Sequence, residues 1–243
     1  MYGYVHSFES LAAVDGEGLR CAVFLSGCPM RCVYCHNPDT WCMESAGKMH
    51  PEALADKIAR YKPYFGKNGG ATFSGGEPLC QANFINETAG LLNKREISYA
   101  LDTSGSVPLT DDVKTALCNS AFVILDLKFW DDESYMDYTG LSIQNTLATL
   151  DYLESIQKRV WMRTVIVPGI NDRTDILDRY LALIEGKTCI ERYELLAFHT
   201  MGFFKYENLG ISNPLIDKAA LSAESRSALQ DYVDKQLNKK YFQ

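Results

Sequence analysis

The chain has 243 residues, 47% hydrophobic and 23% charged, and a formal net charge of −7. Such a composition is too apolar for a disordered chain, and scattered Lys and Arg under an acidic balance exclude a nucleic-acid binder, which needs a basic face for phosphates. No apolar run approaches the roughly 18 residues of a membrane span, and the opening MYGYVHSFES carries neither basic leader nor apolar core, so the expected location is the cytoplasm, away from membranes.

Along the chain, short β-branched runs alternate with amphipathic stretches, the pattern of parallel strands joined by crossover helices. The expected order is strand Arg20 to Leu25, helix Pro51 to Tyr61, strand Ala71 to Phe73, helix Gln81 to Lys94, strand Ser98 to Leu101 and helix Thr110 to Asn119. It continues with strand Phe122 to Leu125, helix Ser142 to Lys158, strand Val160 to Val167, helix Asp172 to Glu185, strand Arg192 to Leu196 and a last helix near Ser222 to Leu237. Pro51 suits a first helical turn, where its missing N–H costs nothing. In the fourth helix Ile143, Leu147, Leu150, Leu153 and Ile156 return to one face, with Ser142 placed to cap its start. Met201 to Asp217, with its aromatics, Gly and Pro, reads as a long ordered loop. Nothing resembles a linker, so residues 1–243 read as a single α/β domain of about six strand–helix units.

Each expected strand ends in unusual polar or glycine-rich sequence: Ser26 to Cys35 after the first, Ser74-Gly75-Gly76-Glu77-Pro78 after the second, Asp102-Thr103-Ser104-Gly105 after the third. Asp126-Leu127-Lys128 follows the fourth, Arg163 lies on the fifth, and Phe198-His199 follows the sixth. Carboxyl ends of parallel strands are where barrel enzymes assemble sites from loops on a rigid frame.

The most informative cluster is Cys28-Pro-Met-Arg-Cys32-Val-Tyr-Cys35, a CX3CX2C loop just after a strand. Three thiolates on a four-iron, four-sulfur cluster leave one iron free for a ligand. The rival is zinc held by the same thiolates and His36, but no second CxxC or HxxxH pair accompanies them. The other cysteines, Cys21, Cys42, Cys80, Cys118 and Cys189, are isolated and read as small hydrophobes.

This spacing, with Tyr34 before the last cysteine, resembles the signature of the radical S-adenosylmethionine superfamily. The stretches His6-Ser-Phe-Glu, Val14-Asp-Gly-Glu-Gly18 and Gly27 to Trp41 resemble the N-terminus of the glycyl-radical-enzyme activases, and Ser74 to Pro78, Leu101 to Gly105, Leu125 to Lys128 and Leu195 to His199 extend the likeness over nearly the whole chain. No ferredoxin-like insert with further cysteine motifs is present, which resembles the type that acts on pyruvate formate-lyase rather than the glycerol, choline or benzylsuccinate types. Short activases of other glycyl radical enzymes remain open at this point.

The resemblance implies a partial (β/α)6 TIM-type barrel with parallel strands, the radical SAM fold. It implies an oxidoreductase that cleaves S-adenosylmethionine reductively at the cluster on Cys28, Cys32 and Cys35, the catalytic centre. The resulting 5′-deoxyadenosyl radical takes a hydrogen atom from a glycine Cα of pyruvate formate-lyase. Flavodoxin or ferredoxin is the expected electron donor, and the chain is expected to act as a monomer. Tyr34, Cys35 and His36 would form a backbone shelf for adenine, with Asn37 near the ribose; Gly75, Gly76 and Glu77 would sit against the methionine amino group. The cofactor carboxylate or ribose would meet Lys128 and Arg163 beside Asp126 and Leu127, and His199 would lie near the adenosine. A monovalent cation, Na+ or K+, would sit on Asp102 and Asp126 with backbone oxygens near Thr103 and Ile124.

Blander readings stand beside these. The Gly-Gly-Glu-Pro stretch alone is compatible with a plain turn, Asp126 and Lys128 with a surface ion pair, His199 with a structural hydrogen-bonder, and Asp102 with a cap or salt bridge. A non-catalytic metal-binding or electron-carrying module is the alternative of a different class, and it has no use for polar groups on six strand ends.

Overall fold

In the computed structural model, which describes residues 1–241, the chain runs β1 (Gly3–Ala12), β2 (Arg20–Leu25), β3 (Gly47–Met49), α1 (Pro51–Ala59), β4 (Gly70–Gly75), α2 (Ala82–Asn93), β5 (Tyr99–Thr103), α3 (Asp111–Asn119), β6 (Val123–Asp126), α4 (Asp132–Thr139), α5 (Gln144–Ser155), β7 (Val160–Ile166), α6 (Thr174–Leu183), β8 (Ile190–Ala197), α7 (Phe203–Leu209) and α8 (Ala223–Tyr241). The sheet order is β3-β1-β2-β4-β5-β6-β7-β8. From β2 to β8 every neighbouring pair is parallel, whereas β1 lies antiparallel to both β2 and β3. The six expected strands are therefore the parallel ones, and the sheet does not close, as a partial barrel requires. Among the described residues no helix is long and apolar enough to cross a membrane.

Four observed elements have no counterpart in the expectation. β1 alternates weakly, with polar Ser7 and Glu9 exposed and polar Ser10 half-buried, so it lacks an apolar strand signature. β3 is only three residues long. α4 carries little amphipathy; it is instead started by Asp131, whose carboxylate accepts the Ser134 N–H at 2.8 Å in a capping box, and stopped by Gly140 at φ 76°. The expected loop from Met201 to Asp217 contains the short helix α7 between Gly202 and Gly210. α1 ends at Ala59, two residues before the expected Tyr61.

Helix α5 buries Ile143, Leu150 and Leu153, while Leu147 is half-buried and Ile156, also half-buried, caps the end at Ser155, three residues before the expected Lys158; the Ser142 hydroxyl accepts the Gln144 N–H at 3.2 Å. The outer edge of β8 is covered from α8, where Gln230 Nε2 donates to the Tyr193 carbonyl and Gln230 Oε1 accepts the Leu195 N–H, each at 2.8 Å. One side-chain amide thereby satisfies backbone groups that would otherwise offer a pairing edge.

Side-chain alternation gives the sheet two unlike faces. The helix-covered face holds the main core, which includes Val23, Phe73, Leu101, Val123, Leu125 and Met162. On the other face Ala100, Phe122, Ile124 and Trp161 form a smaller buried plug. Two residues further along each strand, the same face presents Asp102, Asp126 and Arg163. Apolar residues thus floor the barrel and charged ones lie above them at the carboxyl ends.

Candidate active site

A cavity of about 260 Å³ opens above that floor. Three thiols line it, those of Cys28, Cys32 and Cys35, and they come from one loop held on several sides. Gly27 N donates to the Thr40 carbonyl (2.7 Å) and Cys28 N to the Trp41 carbonyl (3.2 Å), fixing the start of the loop against the turn that follows it. Further on, Arg31 N and Val33 N donate to the carbonyls of Thr139 and Tyr138, at 2.7 and 3.0 Å. Those carbonyls belong to the last turn of α4, where a helix leaves its carbonyls without N–H donors of its own, so the unforeseen helix serves as a strut for the cysteine loop. The Arg31 guanidinium donates to the Cys28 and Met30 carbonyls and lies 4.8 Å from the Trp41 ring centroid.

The glycine pair after β4 closes against the same loop. Gly76 N donates to the Leu25 carbonyl and Glu77 N to the Gly27 carbonyl, both at 2.8 Å. Gly75 sits at φ +116°, and a Cβ there would lie 2.3 Å from Leu25 N; at Gly76 it would lie 2.6 Å from the Gly27 oxygen. Only glycine lets these backbones approach so closely. Gly75 and Gly76 both line the cavity. Glu77 does not: its side chain is fully buried, and its carboxylate accepts from Leu79 N (3.0 Å), Thr103 Oγ1 (2.5 Å), and Ser104 N and Oγ (2.9 and 2.5 Å). Burial raises its pKa against the pull of those hydrogen bonds. Its side chain ties the β4 and β5 loops together behind the cavity wall.

Along the charged row, Asp126 pairs in register with Arg163, and Arg163 with Glu194. Lys128 Nζ lies 2.6 Å from Asp126 Oδ2, with Leu127 fully buried between them on the opposite side. This is an ion pair, but one lining the cavity instead of a solvated edge. Arg163 Nε reaches Glu194 (3.1 Å) and its Nη2 donates to the Val14 carbonyl (2.8 Å). Ser74 Oγ donates to Asp102 at 2.7 Å. Burial, reinforced by Asp126, pushes the Asp102 carboxyl up to about 6. Burial alone would lower the Lys128 and Arg163 pKa values, but Asp126 acting on the lysine and Asp102 acting on the arginine outweigh it and hold both cationic.

His36 and Asn37 complete the wall beside Tyr34. The His36 ring stacks on His199 at 3.7 Å and 22°, and its Nε2 is 3.0 Å from the His199 carbonyl, so that nitrogen carries the proton. Burial, followed by His199, lowers the His36 pKa. His199 stands behind His36 and outside the cavity lining, with Nδ1 buried and without a protein partner. The Thr103 side chain turns to Glu77, and the Ile124 side chain belongs to the apolar floor, so neither reaches the cavity.

Sequence reasoning did not single out Asp15, which lines the cavity from the β1–β2 connection. Burial, opposed by Arg163, raises its pKa. The Val14 to Gly18 stretch was the available signal, but nothing local places it over the mouth. Arg163 and the buried Arg20 do so, the latter donating to the Glu17 carbonyl at 3.0 Å.

The donor set suits an iron–sulfur cluster. Three soft thiols share one cavity beside a glycine cradle, without a fourth cysteine among its lining residues. His36 Nε2 is committed to the His199 carbonyl, so Nδ1 is the ring nitrogen left for a metal, and the choice between zinc and a cluster rests on the thiol set and on the family that the chain matches. Burial raises the pKa of all three thiols, to about 12 for Cys28 and Cys32, so a bound metal centre must supply the charge that deprotonates them.

Residues 14–145 match the family model described as a 4Fe-4S single cluster domain. The chain is 39% identical over 232 residues to the pyruvate formate-lyase-activating enzyme of Clostridium pasteurianum, covering 95% of this chain and 97% of that protein. Among solved structures it resembles Streptococcus suis SuiB bound to the precursor peptide SuiA, with TM-score 0.68 and 13% identity over 90% of this chain; the match spans 46% of the SuiB chain. A radical SAM methyltransferase from Sphaerobacter thermophilus aligns with TM-score 0.65 and 16% identity, covering 89% of this chain and 64% of that one. At such identities the two structures speak for the fold, a radical SAM partial barrel, and the sequence relative speaks for the kinship: the chain belongs to the family of pyruvate formate-lyase-activating enzymes.

Proposed function

We propose that the chain activates pyruvate formate-lyase, drawing its electron from flavodoxin or ferredoxin in the cytoplasm. The observation that carries this reading is one cavity lined by three thiols of a single loop, a glycine cradle and a row of strand-end charges. When bound, the cluster on Cys28, Cys32 and Cys35 supplies the electron that splits S-adenosylmethionine, and the resulting 5′-deoxyadenosyl radical takes a hydrogen atom from a glycine Cα of the partner.

The chain's own residues bind and orient. Gly75 and Gly76 let backbone approach the methionine amino group, with Glu77 holding their loop from behind. Lys128 and Arg163 offer cations to the carboxylate or ribose, and Asp126 fixes Lys128. Tyr34, Cys35 and His36 present backbone to adenine, Asn37 faces the ribose, and His199 braces His36 by stacking. Asp102 and Asp126 are the groups that would hold a monovalent cation, with backbone oxygens near Thr103 and Ile124. An unclosed sheet supports entry of a partner loop from the side, and glycine is the one residue whose Cα arrives without a side chain. One sheet with one main core supports reading residues 1–243 as a single domain, of which 242 and 243 lie outside the described residues.

Anaerobically reconstituted protein is expected to be brown, to hold close to four irons, and to lose them when Cys28, Cys32 or Cys35 becomes Ala. Reduced enzyme with S-adenosylmethionine and pyruvate formate-lyase is expected to give a glycyl doublet in electron paramagnetic resonance. Stoichiometric zinc without visible absorbance would falsify the cluster assignment, and a doublet obtained only with another glycyl radical enzyme would overturn the choice of partner.

A further inference from the structure

Helix α7, in the segment where a loop was expected, is fastened along the limb of the cysteine loop that follows Cys35. Lys205 Nζ donates to Asn37 Oδ1 at 2.7 Å and lies 3.0 Å from an Asp39 carboxylate oxygen. The Tyr206 hydroxyl donates to the Cys35 carbonyl at 2.9 Å, and its ring stands edge-on to Trp41, 6.1 Å between centroids at 90°. Gly202 presses backbone to backbone, since a Cβ there would lie 2.7 Å from the His36 oxygen. From the opposite side His6 of β1 reaches Asp39 at 3.2 Å. Cys35, His36 and Asn37 are thus each held by a residue between 202 and 206.

The chemistry of Lys205 adds a constraint that packing alone does not. An ammonium has donors and no acceptor, so the Asn37 amide must turn its oxygen toward Lys205, and the two Nδ2 hydrogens become what Asn37 can offer elsewhere. Asn37 lines the cavity, and Lys205 and Tyr206 do not. Neither residue bonds to the Asp102, Asp126, Lys128 or Arg163 side chains on the opposite wall.

We infer that Lys205 and Tyr206 are positioning residues for the nucleoside half of S-adenosylmethionine. Tyr206 sets the height of the backbone at Cys35, and Lys205 fixes Asn37 as a hydrogen-bond donor toward the sugar. The methionine half is served by other residues and is indifferent to both. This rests on the cofactor reading proposed above and goes beyond it by assigning two residues outside the cavity to one half of one ligand.

The experiment compares equilibrium binding of S-adenosylmethionine and of L-methionine to cluster-loaded protein, wild type and variants, with iron content measured alongside. Tyr206→Phe keeps the ring against Trp41 and removes only the hydroxyl; Lys205→Met removes the charge; Lys205→Arg keeps a donor-only cation. Tyr206→Phe and Lys205→Met are expected to weaken S-adenosylmethionine binding about tenfold, or about 1.4 kcal/mol. L-methionine binding and iron content are expected to stay within about twofold of wild type on that scale, with Lys205→Arg recovering part of the loss. Equal loss of both ligands, or no loss of either, overturns the inference while leaving the proposed function standing. Wild-type protein that holds its irons yet binds neither ligand overturns both.

Discussion

Among the described residues Arg20 is one of the largest side chains with no exposed surface, and it has no carboxylate partner there. Its Nη groups donate to the carbonyls of Glu17 and Asn68 at 3.0 Å and of Ala71 at 2.7 Å, its Nε donates to Thr72 Oγ1 at 2.7 Å, and it lies 5.2 Å from the Phe122 ring centroid. It therefore clamps the β1–β2 connection, which carries Asp15, onto the floor of the barrel. Replacing it with Met would leave three carbonyls short of a donor, at about 2 kcal/mol each if buried. Against this stands relief from burying a charge. Burial depresses the Arg20 pKa from 12.5 to about 10, with Glu17 and Asp15 opposing, which corresponds to about 3 kcal/mol. The difference predicts a net loss of about 3 kcal/mol, and at about 2–4 °C per kcal/mol for a chain of this size the melting temperature of cluster-free Arg20→Met should fall by about 6–12 °C. Arg20→Lys, which keeps the charge and some donors, should fall by roughly half as much. Urea and thermal denaturation under anaerobic, reducing conditions read both. An Arg20→Met protein melting within about 1 °C of wild type would show that the buried carbonyls do not depend on the guanidinium, and the clamp argument would fail.

Gly75→Ala should abolish soluble protein or lower its melting point by more than about 8 °C, because left-handed strain and the clash with Leu25 backbone together cost about 4 kcal/mol. Gly140→Ala, at φ +76° with nothing within 4 Å, incurs only the strain and should lose about 1–2 kcal/mol; equal losses at the two glycines would refute the close-approach argument. Asp131→Ala removes the cap of α4, worth about 1 kcal/mol, and since that helix holds the cysteine loop the variant should surrender cluster iron to a chelator a fewfold faster. Unchanged iron loss beside a lowered melting point would break that link. Glu154 Oε2 accepts the Cys189 N–H at 2.8 Å and Oε1 accepts the Thr188 hydroxyl at 2.7 Å. Burial raises its pKa, but these bonds together outweigh it and draw the value from 4.5 down to about 2. A depressed carboxyl stabilises the fold above about pH 4.5 and loses that contribution as pH falls toward 2, so Glu154→Gln should lose about 1–2 kcal/mol at pH 7 after allowance for solvent screening, and the gap to wild type should narrow below pH 4. A gap independent of pH in urea denaturation would refute it.

What the sequence made legible follows from periodicity. Phe122 to Leu125 is apolar throughout because β6 is buried on both faces, and the same alternation carries Asp126 and Lys128 to one side of Leu127. The cysteine loop announced itself by spacing alone. What stayed hidden depends on partners distant in sequence. Glu77 reads locally as part of a turn, yet its carboxylate is consumed by Thr103 and Ser104. Asp15 belongs to a connection whose position depends on Arg20 and Arg163. Helices α4 and α7, eight and seven residues long, are too short to show a period, and their reason for being is the loop they support.

The cavity's electrostatics follow from the same geometry. Asp15, Asp102 and Asp126 face Lys128 and Arg163, three carboxylates against two cations in a largely buried space. Burial raises the Asp15 and Asp102 pKa values, with Asp126 adding to the rise at Asp102, so negative charge is costly to hold there. A ligand arriving with a sulfonium and an ammonium would offset that cost, whereas a neutral thioether in place of the sulfonium brings one positive charge fewer. The residues that create the surplus sit on the rigid strand ends and adjoining loop, above an apolar floor that excludes water from below, so charges held there interact more strongly than they would in solution. The thiol loop is held at its start by the sheet, through the glycine pair after β4, and further along by α4 and α7. The barrel fixes the electrostatics of the ligand site, and two short helices complete the support of the metal side of it.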